Sequence, residues 1–186
     1  SKRNIILFLV NPIPHIATMV AVAMAPPLQA TALDSSESSN AAAVAETVSG
    51  ILAYSHWPAG TGPINLCLIG ASRQNGRIVD RTLLNGRQMT VRRLSGNLLP
   101  ANHGCDAIYV GSVSAAERNR LIAQVTGQAI VTVIENDPNC LSGMMFCLQM
   151  RGGSLTFDLN FDAVSRSRVR VDPRVLALAR RTGTAR

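Results

Sequence analysis

The first periodic stretch of apolar residues follows residue 40 and has the spacing of one helical face. These residues are Val44, Val48, Ile51 and Leu52. Apolar side chains at i, i+4, i+7 and i+8 form a single stripe along an α-helix. Asn40 is a favourable N-cap. The pattern therefore predicts a helix that begins at Ala41 and ends before Pro58.

Four short runs farther along the chain are typical of strands. They are Ile64–Ile69, which should be buried, Met89–Leu94, which also contains polar residues, Cys105–Gly111 and Ala129–Glu135. The last run is nearly continuous, as in strands covered on both faces. Between the runs we predict a short helix over Arg77–Leu84, with Ile78 and either Leu83 or Leu84 inward. A second helix should start at the capping-box spacing of Ser114 and Glu117, with an apolar stripe formed by Leu121, Ile122 and Val125.

The pattern changes near the end of the chain. The runs "MMFCLQM" and "SLTFDLN" flank Arg151-Gly152-Gly153, which predicts a β-hairpin. Asp172 and Pro173 are favourable residues for the start of a closing helix; its inward positions should be Val175, Leu176 and either Leu178 or Ala179. The sum is one disulfide-bonded α/β domain over residues 41–183, with a mostly parallel sheet flanked by helices and a C-terminal β-hairpin.

The first 32 residues resemble an export signal. Lys2 and Arg3 precede an apolar stretch, and Ala30-Thr31-Ala32 offers a cleavage site. Two prolines, an Asn and a His interrupt the stretch, which argues against a membrane anchor. We expect residues 1–32 to be cleaved and residues 33–40 to form a flexible lead-in. The mature protein should then be exported and should not span the membrane.

Composition and charge narrow the class of partner. Hydrophobic residues make up 47% of the chain and charged residues 16%, which is typical of a globular protein. After the signal segment the chain contains Arg and no Lys, and a guanidinium binds carboxylates and phosphates in pairs. The basic balance permits acidic partners or a membrane surface. Because aromatic residues are only 4% of the chain and export removes it from DNA, we expect no nucleic acid.

Four cysteines in an exported chain favour disulfides over free thiols. Cys67 and Cys105 lie in two predicted strands that a sheet can bring side by side, whereas Cys140 and Cys147 enclose an eight-residue loop. Their C-x6-C spacing is typical of neither a zinc site nor a redox dithiol, and we predict no metal site. Of the three possible connectivities, we predict 67–105 and 140–147. The loop-entropy formula gives roughly 4 and roughly 2.5 kcal/mol for these bridges.

Two surface features have alternative interpretations. Tyr54 and Trp57 lie three residues apart at a helix end. They either pack in the core or form an aromatic face that binds a small molecule or a partner. In an extended chain, Arg166, Arg168 and Arg170 would lie on one side, with Arg174 following. They form either a solvated edge or a docking strip for an acidic surface. No residues form a catalytic constellation, so we predict neither an enzyme nor a cofactor.

The motifs "VSGILAYSHWP", "LCLIGAS", "GCDAIYVG", "CLSGMMFCL" and "FDLNFDAVSRSRVRVDPRVLALAR" resemble the YfiR family of periplasmic repressors. The similarity runs from about Val44 to Arg181. Phe161 and Arg168 replace the usual Leu and Gly of the closing motif, and the second change adds a charge.

The resemblance implies two disulfides with the same pairing and a non-enzymatic, dimer-forming protein. Such a protein represses an inner-membrane diguanylate cyclase by binding its periplasmic sensor domain. An OmpA-like, peptidoglycan-binding outer-membrane lipoprotein sequesters the repressor, and the redox state of the disulfides tunes it. A periplasmic small-molecule-binding module that uses Tyr54 and Trp57 is the alternative function.

Overall fold

The computed structural model describes residues 28–58, 60, 62–151 and 154–181. The predicted signal segment lies outside these residues except for 28–32, which are helical. The helices are α1 (Leu28–Ala53), α2 (Ala115–Val125), α3 (Phe161–Arg166) and α4 (Leu176–Arg181). The strands are β1 (Ser55–His56), β2 (Ile64–Ile69), β3 (Arg81–Thr82), β4 (Gln88–Arg93), β5 (Ala107–Val110), β6 (Val131–Glu135), β7 (Phe146–Arg151), β8 (Ser154–Leu159) and β9 (Arg170–Val171).

Seven strands form one sheet in the order β3-β4-β2-β5-β6-β7-β8. The five inner strands are parallel to one another, whereas β3 and β8 pair antiparallel at the two edges. The edge pair β7–β8 is the hairpin predicted on either side of Arg151-Gly152-Gly153. The predicted α/β fold with a mostly parallel sheet is confirmed.

Alternating side chains of the inner strands supply two separate cores, one on each face of the sheet. In β2, Ile64, Leu66 and Leu68 pack with the apolar stripe of α1. Cys67 and Ile69 point to the opposite face, where they pack with Leu121 and Val125 of α2. Because both faces are covered there, the central strands β2 and β5 are apolar at nearly every position.

Helix α1 begins earlier than the sequence predicts. It starts at Leu28 and includes Asn40, which therefore does not cap it. The segment contains no Pro or Gly before Gly50, and its early turns contact the loop after β2, where Arg73 pairs with Glu37 and Arg77 donates to Ser38. The predicted stripe itself is confirmed, since all of its members are fully buried.

The helix predicted over Arg77–Leu84 is wrong. Only Asn75–Arg77 forms a turn of 3₁₀-helix, and β3 follows it at the edge of the sheet. A tight turn directs the chain back into β4, with the Gly86 amide donating to the Leu83 carbonyl at 2.9 Å. Ile78 and Leu83 are buried as predicted, whereas Leu84 is 88% exposed. Tertiary pairing with β4 thus overrides a weak helical pattern.

The closing helix is preceded by a 3₁₀ turn. Asp172 caps this turn, Pro173 occupies its first position, and Val175 is buried, as predicted. Leu176, which was predicted to point inward, is 39% exposed. A 3₁₀ turn has about three residues per turn instead of 3.6, so it rotates the side chains that follow it.

Candidate functional site

A two-stranded sheet outside the main one joins two features that are far apart in the sequence. Strand β1, directly after α1, pairs antiparallel with β9, so that His56 lies opposite Arg170. The Asp172 amide donates to the Tyr54 carbonyl at 2.9 Å. This pairing brings Tyr54 close to the arginines of the closing segment. We call Tyr54, His56, Trp57, Arg87, Arg170 and Arg174 the arginine–aromatic surface.

Tyr54 carries a guanidinium on its ring. The Arg174 Cζ lies 5.7 Å from the ring centroid, within the range of a cation–π contact. Arg174 also donates to both carboxylate oxygens of Asp172, from Nε to Oδ1 at 3.1 Å and from Nη2 to Oδ2 at 2.6 Å. The hydrogen bonds from Arg174 lower the pKa of Asp172 to about 2, and Asp172 in turn raises the pKa of Arg174. The arginine is therefore held in place over the ring.

Trp57 is fixed in a similar way. Its indole N–H donates to the Asp106 carbonyl at 2.9 Å, which anchors the ring against the start of β5. The Arg87 guanidinium lies 5.0 Å from the ring centroid and donates to the Gly62 carbonyl at 2.8 and 2.6 Å. Both aromatic rings also pack partly against the larger core. Each ring is thus both a packing residue and a platform for an arginine.

Arg87 and His56 were not among the site residues predicted from the sequence. Arg87 lies in the turn between β3 and β4, and its approach to Trp57 depends on a β3 strand that the sequence did not predict. His56 directly precedes Trp57 in the sequence, and no motif marks it as a site residue. His56 and Arg87 line one shallow depression of about 530 Å³ together.

The other predicted arginines separate into two groups. Arg166 ends α3 and pairs with Asp162, so the prediction of an extended segment is wrong at this residue. Arg168 and Arg170 are exposed on either side of the buried Val169. Within the described part of the chain neither has an ion-pair partner, which leaves two charged side chains available to an acidic surface.

Both predicted disulfides are present. Cys67 in β2 is bonded to Cys105 before β5, with the Cα atoms 5.8 Å apart, and Cys140 is bonded to Cys147 in β7, with the Cα atoms 5.5 Å apart. All four cysteines belong to the smaller core beneath α2. Asp137 Oδ2 lies 3.6 Å from Cys147 Sγ, but both sulfurs of that pair are consumed by the bridge and offer no thiolate to a metal.

Within the described residues, no helix combines the length and apolarity needed to cross a membrane. The small-molecule-binding alternative at Tyr54 and Trp57 stays a prediction. The sequence model of the YfiR/HmsC-like family matches residues 41–180, which include the whole sheet, both disulfides and the arginine–aromatic surface. The chain belongs to the YfiR/HmsC-like family, a regulatory family of the periplasm that acts in cyclic di-GMP signalling.

Proposed function

We propose that this protein represses a membrane diguanylate cyclase by binding the cyclase's periplasmic sensor domain through the arginine–aromatic surface and Arg168. The observation that carries the proposal is the β1–β9 pairing, which gathers two aromatic rings and several arginines that the sequence separates. Aromatic and Arg side chains are the residue types most enriched where protein interfaces gain their binding energy.

The charge of the surface indicates the kind of partner. Arg168 and Arg170 are exposed without an ion pair among the described residues, while Arg87 and Arg174 are held over aromatic rings by hydrogen bonds. Less side-chain entropy is lost on binding when a guanidinium is already held in place. An acidic patch on the sensor domain would complement this arrangement and would speed association at low salt.

Two further features of the proposed system follow from the family resemblance. An OmpA-like, peptidoglycan-binding lipoprotein sequesters the repressor and so releases the cyclase, and the repressor forms a homodimer. The export signal over residues 1–32 delivers the chain to the periplasm, and residues 41–183 form the repressing domain. Both disulfides keep that domain folded in an oxidising compartment, so that reduction or misoxidation relieves repression through loss of structure.

A charge-reversal experiment tests the proposal. Arg168→Glu combined with Arg170→Glu should weaken binding to the purified sensor domain at least tenfold and should raise cyclic di-GMP in cells. The matched control is Arg120→Glu, which reverses an exposed arginine on α2, across the sheet from α1. The double variant should keep its thermal midpoint, because neither side chain is buried.

Two results would contradict this role. One is binding of the double variant and of the control with the affinity of the parent protein. The other is a cyclic di-GMP level that does not change when the gene for the parent protein is deleted.

A further inference from the structure

A polar cleft lies at the carboxyl ends of β2, β5 and β6, away from the arginine–aromatic surface. It has a volume of about 420 Å³ and is lined by Ala71, Ser72, Arg73, Gln74, Ser112, Glu135 and Asn136. The chain passes from β2 to β4 on one side and then to β5 on the other. This is the point of an open parallel sheet where the strand order reverses, and ligands of α/β proteins bind outside the carboxyl ends of the strands there.

Two glycines allow the ends of β2 and β5 to meet at the base of this cleft. A Cβ atom on Gly111 would lie 2.4 Å from the Ala71 carbonyl oxygen, and one on Gly70, whose φ is 76°, would lie 2.7 Å from the Ser112 carbonyl oxygen. The close approach lets the Ser112 amide donate to the Ala71 carbonyl at 2.7 Å. The base of the cleft is therefore formed by the backbone of these two strand ends.

Glu135, the last residue of β6, is held in one orientation by two hydroxyl groups. Its Oε1 accepts from Tyr109 Oη and, at 2.5 Å, from Ser72 Oγ. Tyr109 is completely buried, and its burial together with Glu135 raises the pKa of the phenol far above its usual value. The phenol therefore stays protonated and donates.

The hydrogen bonds of the Ser72 hydroxyl show that it too donates to Glu135. Its oxygen accepts from the amides of Gln74 and Asn75 at 3.0 and 3.1 Å, so its proton goes to Glu135. Both hydroxyls thus serve Oε1, and among the described residues no group donates to Oε2. Oε2 of this half-buried carboxylate, at the edge of the cleft, can therefore accept a hydrogen bond from a group that enters the cleft.

We propose that the cleft binds a small organic cation that carries a primary ammonium group. For the three N–H donors of such a group, the lining of the cleft offers the acceptors Glu135 Oε2, the hydroxyl of Ser112 and the side-chain oxygen of Asn136. Ser112 and Asn136 are exposed, and their side chains have no hydrogen bond within the described residues. Arg73 at the rim pairs with Glu37 on the exposed side, and Glu135 is the carboxylate among the residues that line the cleft.

Saturation-transfer NMR and titration calorimetry on the mature protein test this site. The probes are ethanolamine and 1,4-diaminobutane. Tetramethylammonium, a cation without N–H donors, and glucose, a neutral source of hydroxyl donors, are the comparators. We expect both amines to bind in the millimolar range or tighter, and we expect Glu135→Gln to weaken them at least tenfold. Glu46→Gln, which removes an exposed carboxylate from α1, is the matched control and should bind as the parent does.

A second variant separates binding from folding, because Glu135 contacts a buried residue. Ser112→Leu fills the cleft from an exposed position, leaves the hydrogen bonds of Glu135 intact and should also abolish amine binding. The proposal is overturned if neither amine binds, if glucose or tetramethylammonium binds as well as the amines, or if Ser112→Leu binds them like the parent. None of these results depends on the cyclase, so the site and the proposed repression fail or hold separately.

Discussion

At the scale of single residues, Asp172 shows how one side chain can serve several parts of the site. Its carboxylate caps the 3₁₀ turn by accepting from the Arg174 amide at 2.9 Å. It also holds the Arg174 guanidinium near Tyr54, and its amide donates to the Tyr54 carbonyl. Losing the charge of Asp172 should therefore loosen this end of the arginine–aromatic surface.

The stability that Asp172 contributes should depend on pH in a defined window. The hydrogen bonds from Arg174 lower the pKa of Asp172 from 3.8 to about 2. Because the folded state favours the ionised form, the contribution is fully present above about pH 4 and is lost as the pH falls through about 2. Denaturant unfolding of the parent and of Asp172→Asn should show a difference that is constant from pH 7 to about pH 4 and shrinks toward about pH 2. Arg174→Ala should remove most of this dependence, and a difference independent of pH would refute it.

Trp57 offers a direct optical test of its contact with Arg87, because it is the only tryptophan of the chain. Arg87→Ala uncovers one side of the indole ring and removes a cation–π contact worth roughly 0.5–1 kcal/mol. We expect the emission maximum to move to longer wavelength, as water gains access to the ring. Arg120→Ala, a change on α2, should leave the spectrum as it is; equal spectra for both variants would count against the contact.

At the scale of elements, the sequence predicts an element correctly where residues within or next to that element mark its ends. Helix α2 has the full capping box: Ser114 Oγ accepts from the Glu117 amide, and the Glu117 carboxylate accepts from the Ser114 amide. Strand β3 is the opposite case, since only two residues form it and its pairing with β4 defines it. The sequence shows a capping box directly, whereas it does not show which strand a two-residue segment such as β3 will pair with.

The capping box predicts a measurable loss. Ser114→Ala removes the acceptor for the Glu117 amide and should lower the free energy of unfolding by about 1 kcal/mol. Ser165→Ala, at an exposed position of α3, should change it by less than about 0.5 kcal/mol. Chemical denaturation of both variants decides the question, and equal losses would show that the cap contributes nothing specific.

At the scale of the whole molecule, the two faces of the sheet differ in how they are stabilised. The face beneath α1 holds the larger apolar core, whereas the face beneath α2 holds both disulfides. A smaller core buries less apolar surface, and cross-links compensate for this in exported proteins. The integrity of the α2 face should therefore depend most on the redox environment.

Removing the bridge that closes the longer loop should cost more stability, because the loop entropy rises with the logarithm of loop length. The loop-entropy formula gives roughly 4 kcal/mol for Cys67 with Cys105 and roughly 2.5 kcal/mol for Cys140 with Cys147. We expect paired Cys→Ala variants to follow this order in denaturant unfolding under identical conditions, and the reverse order would contradict the entropic account. In cells, Cys140→Ser should lower the abundance of the protein and raise cyclic di-GMP; unchanged values of both would argue against the proposed regulatory role.

The sequence by itself determined the features that depend on neighbouring residues. The stripe of α1, the buried inner strands, the capping box and the hairpin each repeat a local period or carry a local stop signal. The disulfide pairing was also predictable, because it needed only two adjacent strands and one short loop. These features were sufficient for the α/β fold, whereas the family was indicated by the resemblance of five sequence motifs.

Only the tertiary structure decided how the candidate site is assembled. Pairing of β1 with β9, the contact of Arg87 with Trp57, and the meeting of Gly70 with Ser112 all join residues that are distant along the chain. Such contacts form when burial and strand pairing outweigh the entropy of closing a long loop, and no single stretch of sequence contains that balance. Contacts with distant residues also explain why β3 formed where a helix was predicted and why α1 begins at Leu28, before Asn40.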